Sequence, residues 1–146
     1  MESWRRCLRV GFLPQLSTPG LHALALALRR DDPRLLQGAT IQPPPLQSVQ
    51  DWPVEAADPF AYAVWQGDYH GEATVEDIED AWAARCFYCD AALGEPGGCR
   101  WALNWWDENP RQEVIPALLQ EVLLELKSRR TPEEVIAAIA AGEGPL

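Results

Sequence analysis

Between residues 75 and 93, apolar side chains recur at Val75, Ile78, Trp82, Cys86, Cys89 and Leu93, in steps of three, four, four, three and four. That spacing holds one face of an α-helix against a core. It predicts a helix opening at Thr74, where Asp77 at the third helical position makes a capping-box variant, and closing before Gly94. Other segments carry the same signal. Trp4, Cys7 and Leu8 share a face of a short helix over about residues 4–12, capped by Ser3 and ended by Pro14. Leu21, Leu24, Ala25 and Leu28 form the stripe of a second helix reaching about Arg30, and Leu26 lies nearly opposite. A helix with apolar residues on both sides is expected to be covered on two sides, as at the centre of a bundle.

Farther along, a helical region ends at Gly67, and a short helix carries Trp101, Leu103, Trp105 and Trp106. Val114, Ile115, Leu118, Leu119, Val122 and Leu126 give the next helix a wide apolar face from which Leu124 departs. Pro116 inside it is expected to kink or delay the regular turns. A last helix spans residues 132–141.

Helix starts are marked by a recurring dipeptide: Thr18-Pro19, Asp32-Pro33, Asp58-Pro59, Asn109-Pro110 and Thr131-Pro132. The first residue of each pair can accept a hydrogen bond from an orphan amide of the first turn, and proline next to it lacks only an amide that has no partner there. Asp32-Pro33 is read as opening a single turn closed by Gly38. Residues 39–53 are the exception to helix. Three consecutive prolines, Pro43 to Pro45, fix polyproline-like angles and remove donors, so an extended connection across the surface is expected. The pattern predicts one all-α domain over residues 1–146, a compact irregular or orthogonal bundle of five to seven helices. Its expected core includes Trp82, Ile78, Leu24, Leu28, Leu118 and Val122.

Composition agrees with a folded chain. At 146 residues with 47% hydrophobic content, it is long enough to bury roughly 68–70% of its unfolded surface without staples. No apolar run approaches the roughly 20 residues of a membrane span. The sequence from Met1 to Arg6 lacks the apolar core of a secretory signal, so a cytoplasmic location is expected. Eleven arginines against the single Lys127, with abundant alanine and proline, have the character of a GC-rich bacterial gene.

The formal charge of -10 is unevenly spread. Residues 1–34 carry a net +3, residues 35–84 hold nine acids and no Lys or Arg, and residues 85–146 carry a net -4. An acidic middle disfavours direct nucleic-acid binding, which depends on cations displacing counterions, and would attract a basic partner at long range.

Cys86-x-x-Cys89 invites a zinc or redox reading, zinc with Cys99, Cys7 or His70 completing the set, and redox disfavoured because nothing supplies the electropositive, partly exposed setting of a reactive thiolate. The pair falls within the apolar stripe of a long helix, however, where free cysteine packs as a small hydrophobe, so core packing is the preferred reading and no cofactor is expected. The densest acidic cluster is Asp68, Glu72, Glu76, Asp77, Glu79 and Asp80. It reads first as a solvated helix face near a positive helix end, and next as a docking surface. Neither His22 nor His70 follows a Glu at the spacing of di-iron bundles. Among the seven tryptophans, Trp101 and Trp105 can share a buried face, which displaces Trp106 by about 100° and makes it a candidate for exposure at an interface. No nucleophile–base arrangement and no phosphate-cradling loop is present at a defensible spacing.

These features point to an acidic protein-binding module, an adaptor, an inhibitor or immunity-type protein, or an assembly subunit. It would act without metal through Asp68, Glu72, Glu76, Asp77, Glu79, Asp80 and Trp106 on a partner protein with a basic surface. Nucleic acid and membrane are not expected as partners, and homo-oligomerisation is left open. The alternatives are a zinc-stabilised helical domain and, less favoured, an enzyme with a pocket under residues 40–53, near Gln47, Gln50, Asp51 and Trp52.

Overall fold

The computed structural model describes residues 1–42 and 52–142. The first helix, α1 (Ser3–Arg6), widens into π-helical winding over Cys7–Phe12 and tightens into a 3-10 turn at Leu13–Gln15. Then follow α2 (Thr18–Arg30), β1 (Ile41–Gln42), β2 (Ala56–Ala57), α3 (Pro59–Gly67), α4 (Val75–Leu93), α5 (Arg100–Glu108), α6 (Arg111–Ser128) and α7 (Pro132–Ala140). Among the described residues the fold is an all-α bundle of seven helices with one small two-stranded antiparallel sheet, in the register Ile41 opposite Ala57 and Gln42 opposite Ala56.

The starts of the helices follow capping chemistry, with shifts. Asp58 accepts hydrogen bonds from the amides of Phe60 and Ala61, and Thr131 caps α7 through the amide of Glu134. Thr74 and Asp77 form the reciprocal capping box, and Gly94 ends α4 in the left-handed conformation at φ +71°. At α2 the cap is Ser17, which accepts from the amide of Gly20, so Thr18 is already helical. Asn109 does not cap α6. It closes α5, donating its side-chain amide to the carbonyl of Trp105, and Pro110 takes the flanking position without a side-chain cap. Asp32 accepts from the amide of Arg34 in a turn that does not become a helix. Ser3 lies within α1 and the flanking Glu2 makes no side-chain cap. Despite Pro116, α6 runs continuously over 18 residues.

The most enclosed helix is α3. Pro59 through Trp65 are all buried, because α2 packs along one side and α4 crosses another. The α2–α3 contact is close enough to require glycine on both helices. A Cβ on Gly67 would stand 2.4 Å from the backbone of Gly20, and one on Gly20 would stand 2.5 Å from the carbonyl oxygen of Ala63. On its other side α2 meets α6. It is therefore covered on two sides, yet Leu26 remains exposed between them.

One hydrophobic cluster joins the N-terminal segment, α2–α6 and the small sheet. Ile78, Leu24, Leu28, Leu118 and Val122 are in it as expected, with Phe12 and Phe60 stacked at 4.4 Å between centroids. Trp82 packs against the core only half-buried, with its ring nitrogen donating to the buried Asp58. The segment beside the sheet is tied down by backbone hydrogen bonds, including Val75 to the carbonyl of Trp52 and Asp58 to that of Thr40. Residues 43–51, which contain most of the stretch expected to be extended, lie outside the described residues.

Candidate functional site

The capping box fixes the register of α4, and the register sorts its side chains. Val75, Ile78, Cys89 and Leu93 are buried, with Trp82 and Cys86 at the margin. The opposite stripe, Glu76, Asp80, Ala83 and Phe87 in steps of four, three and four, faces outward and is exposed throughout. It spans roughly 16 Å along the helix axis at 1.5 Å per residue. Its C-terminal end carries a large aromatic side chain, Phe87, where a solvated helix would carry a polar one, and Tyr88 follows about 100° around the helix. Phe87 is 68% exposed and Tyr88 60%. The two rings meet edge to face, 5.5 Å between centroids and 77° between planes.

The acidic residues named from the sequence divide into several environments. Glu72, Glu76 and Asp80 are exposed and Glu79 is half-buried, and among the described residues none of these four has an ion-pair partner. Asp77 is held in the capping box. Asp68 stands 3.4 Å from the guanidinium of Arg85. The upper half of α4 is thus an anionic, outward-facing surface that runs into an aromatic one.

Trp106 does not belong to this surface. It is 1% exposed, and its indole N–H donates to the carbonyl of Leu36 at 2.7 Å. The neighbouring chain closes over it, with Gln37 donating to the carbonyls of Trp106 and Asn109 and the amide of Gly38 donating to Asp107. Trp101 and Trp105 are half-buried in α5, and Trp105 stacks on Trp4 at 3.9 Å with the planes parallel to 1°. The expectation of an exposed Trp106 is therefore corrected. The helix turns the single indole at 106 into the core because a carbonyl from residues 35–38 is there to receive its donor. Phe87 and Tyr88 were the exposed aromatics to find. They stand one and two positions after Cys86, off the apolar stripe, and that displacement was the available signal.

Beneath α4, two groups are buried in unusual settings. Asp58 is 4% exposed and accepts three hydrogen bonds, two from backbone amides to Oδ1 and one from Trp82 Nε1 to Oδ2. Burial pushes its carboxyl up to about 7 against the pull of those donors. The four cysteines, all free, gather at the meeting of the N-terminal segment, α4 and the turn before α5. Cys7 and Cys89 are buried with sulfurs 3.6 Å apart, and Cys86 interacts with Cys99. Burial raises the Cys86 thiol and pushes that of Cys99 up to about 11. Among the described residues, no group of three or more His, Cys, Asp or Glu side chains is disposed to hold a metal ion.

Two grooves lie away from α4. The larger, about 1260 Å³, runs between α2, α6 and α7 over Leu26, Leu126 and Ala138 with His22, Arg29 and Arg130 at its edge. The smaller, about 290 Å³, lies beside Arg9 and Glu121. Neither is lined by the described parts of residues 40–53. His70, at φ +54° in an exposed turn, stands apart from both. No helix among the described residues is long and apolar enough to cross a membrane. Comparison with protein-family models, curated proteins and solved structures yields no match for this chain.

Proposed function

We propose that the protein is an acidic protein-binding module whose contact surface is the outer face of α4. The observation that carries this reading is the exposure of Phe87 on the same helix face as Glu76 and Asp80, with the exposed ring of Tyr88 set edge to face against it. Large aromatic side chains dominate binding energy when a partner desolvates them, and their cost in water falls on a free surface that has no other use for them. Carboxylates beside them steer a basic surface into register and raise the association rate. A duplex or single-stranded nucleic acid would meet phosphate repulsion from the same carboxylates. The partner this arrangement fits is a protein presenting a cationic rim around an apolar depression.

The test compares three versions of the tagged protein in native pull-downs from the source cells. They are the wild type, Phe87→Ala with Tyr88→Ala, and Glu76→Lys with Asp80→Lys. The reading expects one stoichiometric partner held by the wild type and reduced at least about tenfold by either double substitution. Loss on charge reversal should be mimicked by raising salt, while loss on aromatic truncation should not. Absence of a stoichiometric partner, or capture indifferent to both pairs, rejects it.

A further inference from the structure

The widened winding at Cys7–Phe12 sets Cys7 and Gly11 against the same point of α4. Cys7 Sγ lies 3.6 Å from Cys89 Sγ, across 82 positions of sequence. Gly11 leaves room for that sulfur, since a Cβ there would stand 2.3 Å from it. Both thiols are fully buried, so neither is available to a bulky reagent or to a second chain. Bond formation needs the sulfurs to approach from 3.6 Å to about 2.05 Å.

We propose that Cys7 and Cys89 are a redox-closable pair, oxidised by a small peroxide to a disulfide that staples the N-terminal segment to α4. The contact also prepares the chemistry: the Cys89 thiol hydrogen-bonds Cys7 and holds its pKa below the usual thiol value, while Cys89 itself is raised. Cys7 lies on the short N-terminal segment, which makes it the attacking sulfur here, and exchanging the two roles leaves the products unchanged. Its thiolate displaces hydroxide from hydrogen peroxide to give the sulfenic acid, and the hydroxide combines with the proton that Cys7 released. The Cys89 sulfur then attacks the sulfenic sulfur, the S–O bond breaks, and the departing hydroxide takes the Cys89 proton as water. Two thiols and one peroxide become one disulfide and two waters. Peroxide is small enough to reach the pair through local opening of the short α1 end, where a glutathione-sized disulfide is not.

The experiment titrates the reduced full-length protein with hydrogen peroxide up to a few equivalents, then alkylates the remaining thiols under denaturing conditions. Tryptic digestion cuts after Arg6, Arg9, Arg85 and Arg100, giving one peptide of residues 7–9 and another of residues 86–100 that contains Cys86, Cys89 and Cys99. The expected product is these two peptides joined, with two thiols left. Chymotryptic cleavage after Tyr88 and cleavage before Asp90 then assign the link to Cys89. The joined protein should melt about 5–15 °C higher, because the link closes a long loop of the unfolded chain, and dithiothreitol should reverse both changes. The double variant Cys86→Ala, Cys99→Ala should still form the link. A Cys86–Cys99 link within residues 86–100, oxidation of Cys86 alone, four thiols surviving the titration, or a lowered Tm in the joined protein would each overturn the proposal.

Discussion

The indole N–H of Trp82 donates to Asp58 Oδ2 at 3.1 Å, so the side chain that starts α3 also fixes the middle of α4. Because burial raises the Asp58 carboxyl to about 7 in the folded protein, the folded state binds more protons than the unfolded one between about pH 4 and pH 7. Stability from this group is therefore fully present below the ordinary carboxylate pKa and is lost as pH rises through 7. In Asp58→Asn the amide nitrogen would face the Trp82 donor in one orientation or the α3 amides in the other. The variant should be about 1–3 kcal/mol less stable than wild type at pH 5, with the difference shrinking toward pH 8. Urea melts at four or five pH values read both the offset and the slope.

The glycine contact between α2 and α3 predicts an asymmetry among glycine substitutions. Gly67→Ala places a methyl group 2.4 Å from the Gly20 backbone, which cannot rotate away, so the helices must separate. The loss should be about 2–3 kcal/mol even after the better helix propensity of alanine is counted. Gly94→Ala meets nothing within 4 Å and carries only the strain of its positive φ, about 1 kcal/mol. Equal losses at the two sites, measured by denaturant melts, would contradict this packing.

Glu121 is 3% exposed on α6 and is held by Arg5 at 3.1 Å and by Arg9 at 2.7 and 3.1 Å. Both arginines keep a third or more of their side chains in water, so they lose little if Glu121 disappears. The carboxylate has no such outlet. Removing both cations, in Arg5→Ala with Arg9→Ala, should destabilise the fold more than Glu121→Met, because it leaves a buried carboxylate unpaired. A double-mutant cycle over the three positions separates the coupling from simple loss of contact.

Arg129 joins the end of α6 to the start of α2. Its guanidinium donates to the carbonyls of Leu13 and Leu16 at 3.0 and 2.8 Å while pairing with Glu125 at 2.9 Å. A lysine ammonium cannot reach these acceptors from the flat, forked geometry they occupy. Arg129→Lys should therefore lose most of what Arg129→Ala loses, about 2 kcal/mol, and hydrogen exchange at the α2 end should quicken in both.

Much of this architecture could be read from the chain because helix periodicity and capping are local. The α4 stripe ends at Gly94 as the sequence indicated, and Asp58, Thr74 and Thr131 cap where they were placed. Where two residues were chemically able to cap, as at Ser17 and Thr18, spacing alone did not choose between them. The sheet at Ile41 and Ala57 was not legible, since it pairs two-residue strands through contacts distant in sequence. Trp106 went astray for the same reason: its burial depends on the carbonyl of Leu36, seventy positions away. Of the candidate surface, the acidic residues were visible as composition, while Phe87 and Tyr88 were signalled only by falling off the α4 stripe beside Cys86.

The π-helical winding of Cys7–Phe12 places about one residue more in its turn than an α-helix would. Deleting Val10, which is exposed there, would let the segment rewind as α-helix with its backbone hydrogen bonds intact. The residues on either side would keep their faces, because a widened turn absorbs its surplus without rotating its flanks. Trp4 would still meet Trp105, and Arg5 would still reach Glu121. The extra position acts inside the turn alone, as a shim that lays Cys7 and Gly11 against α4.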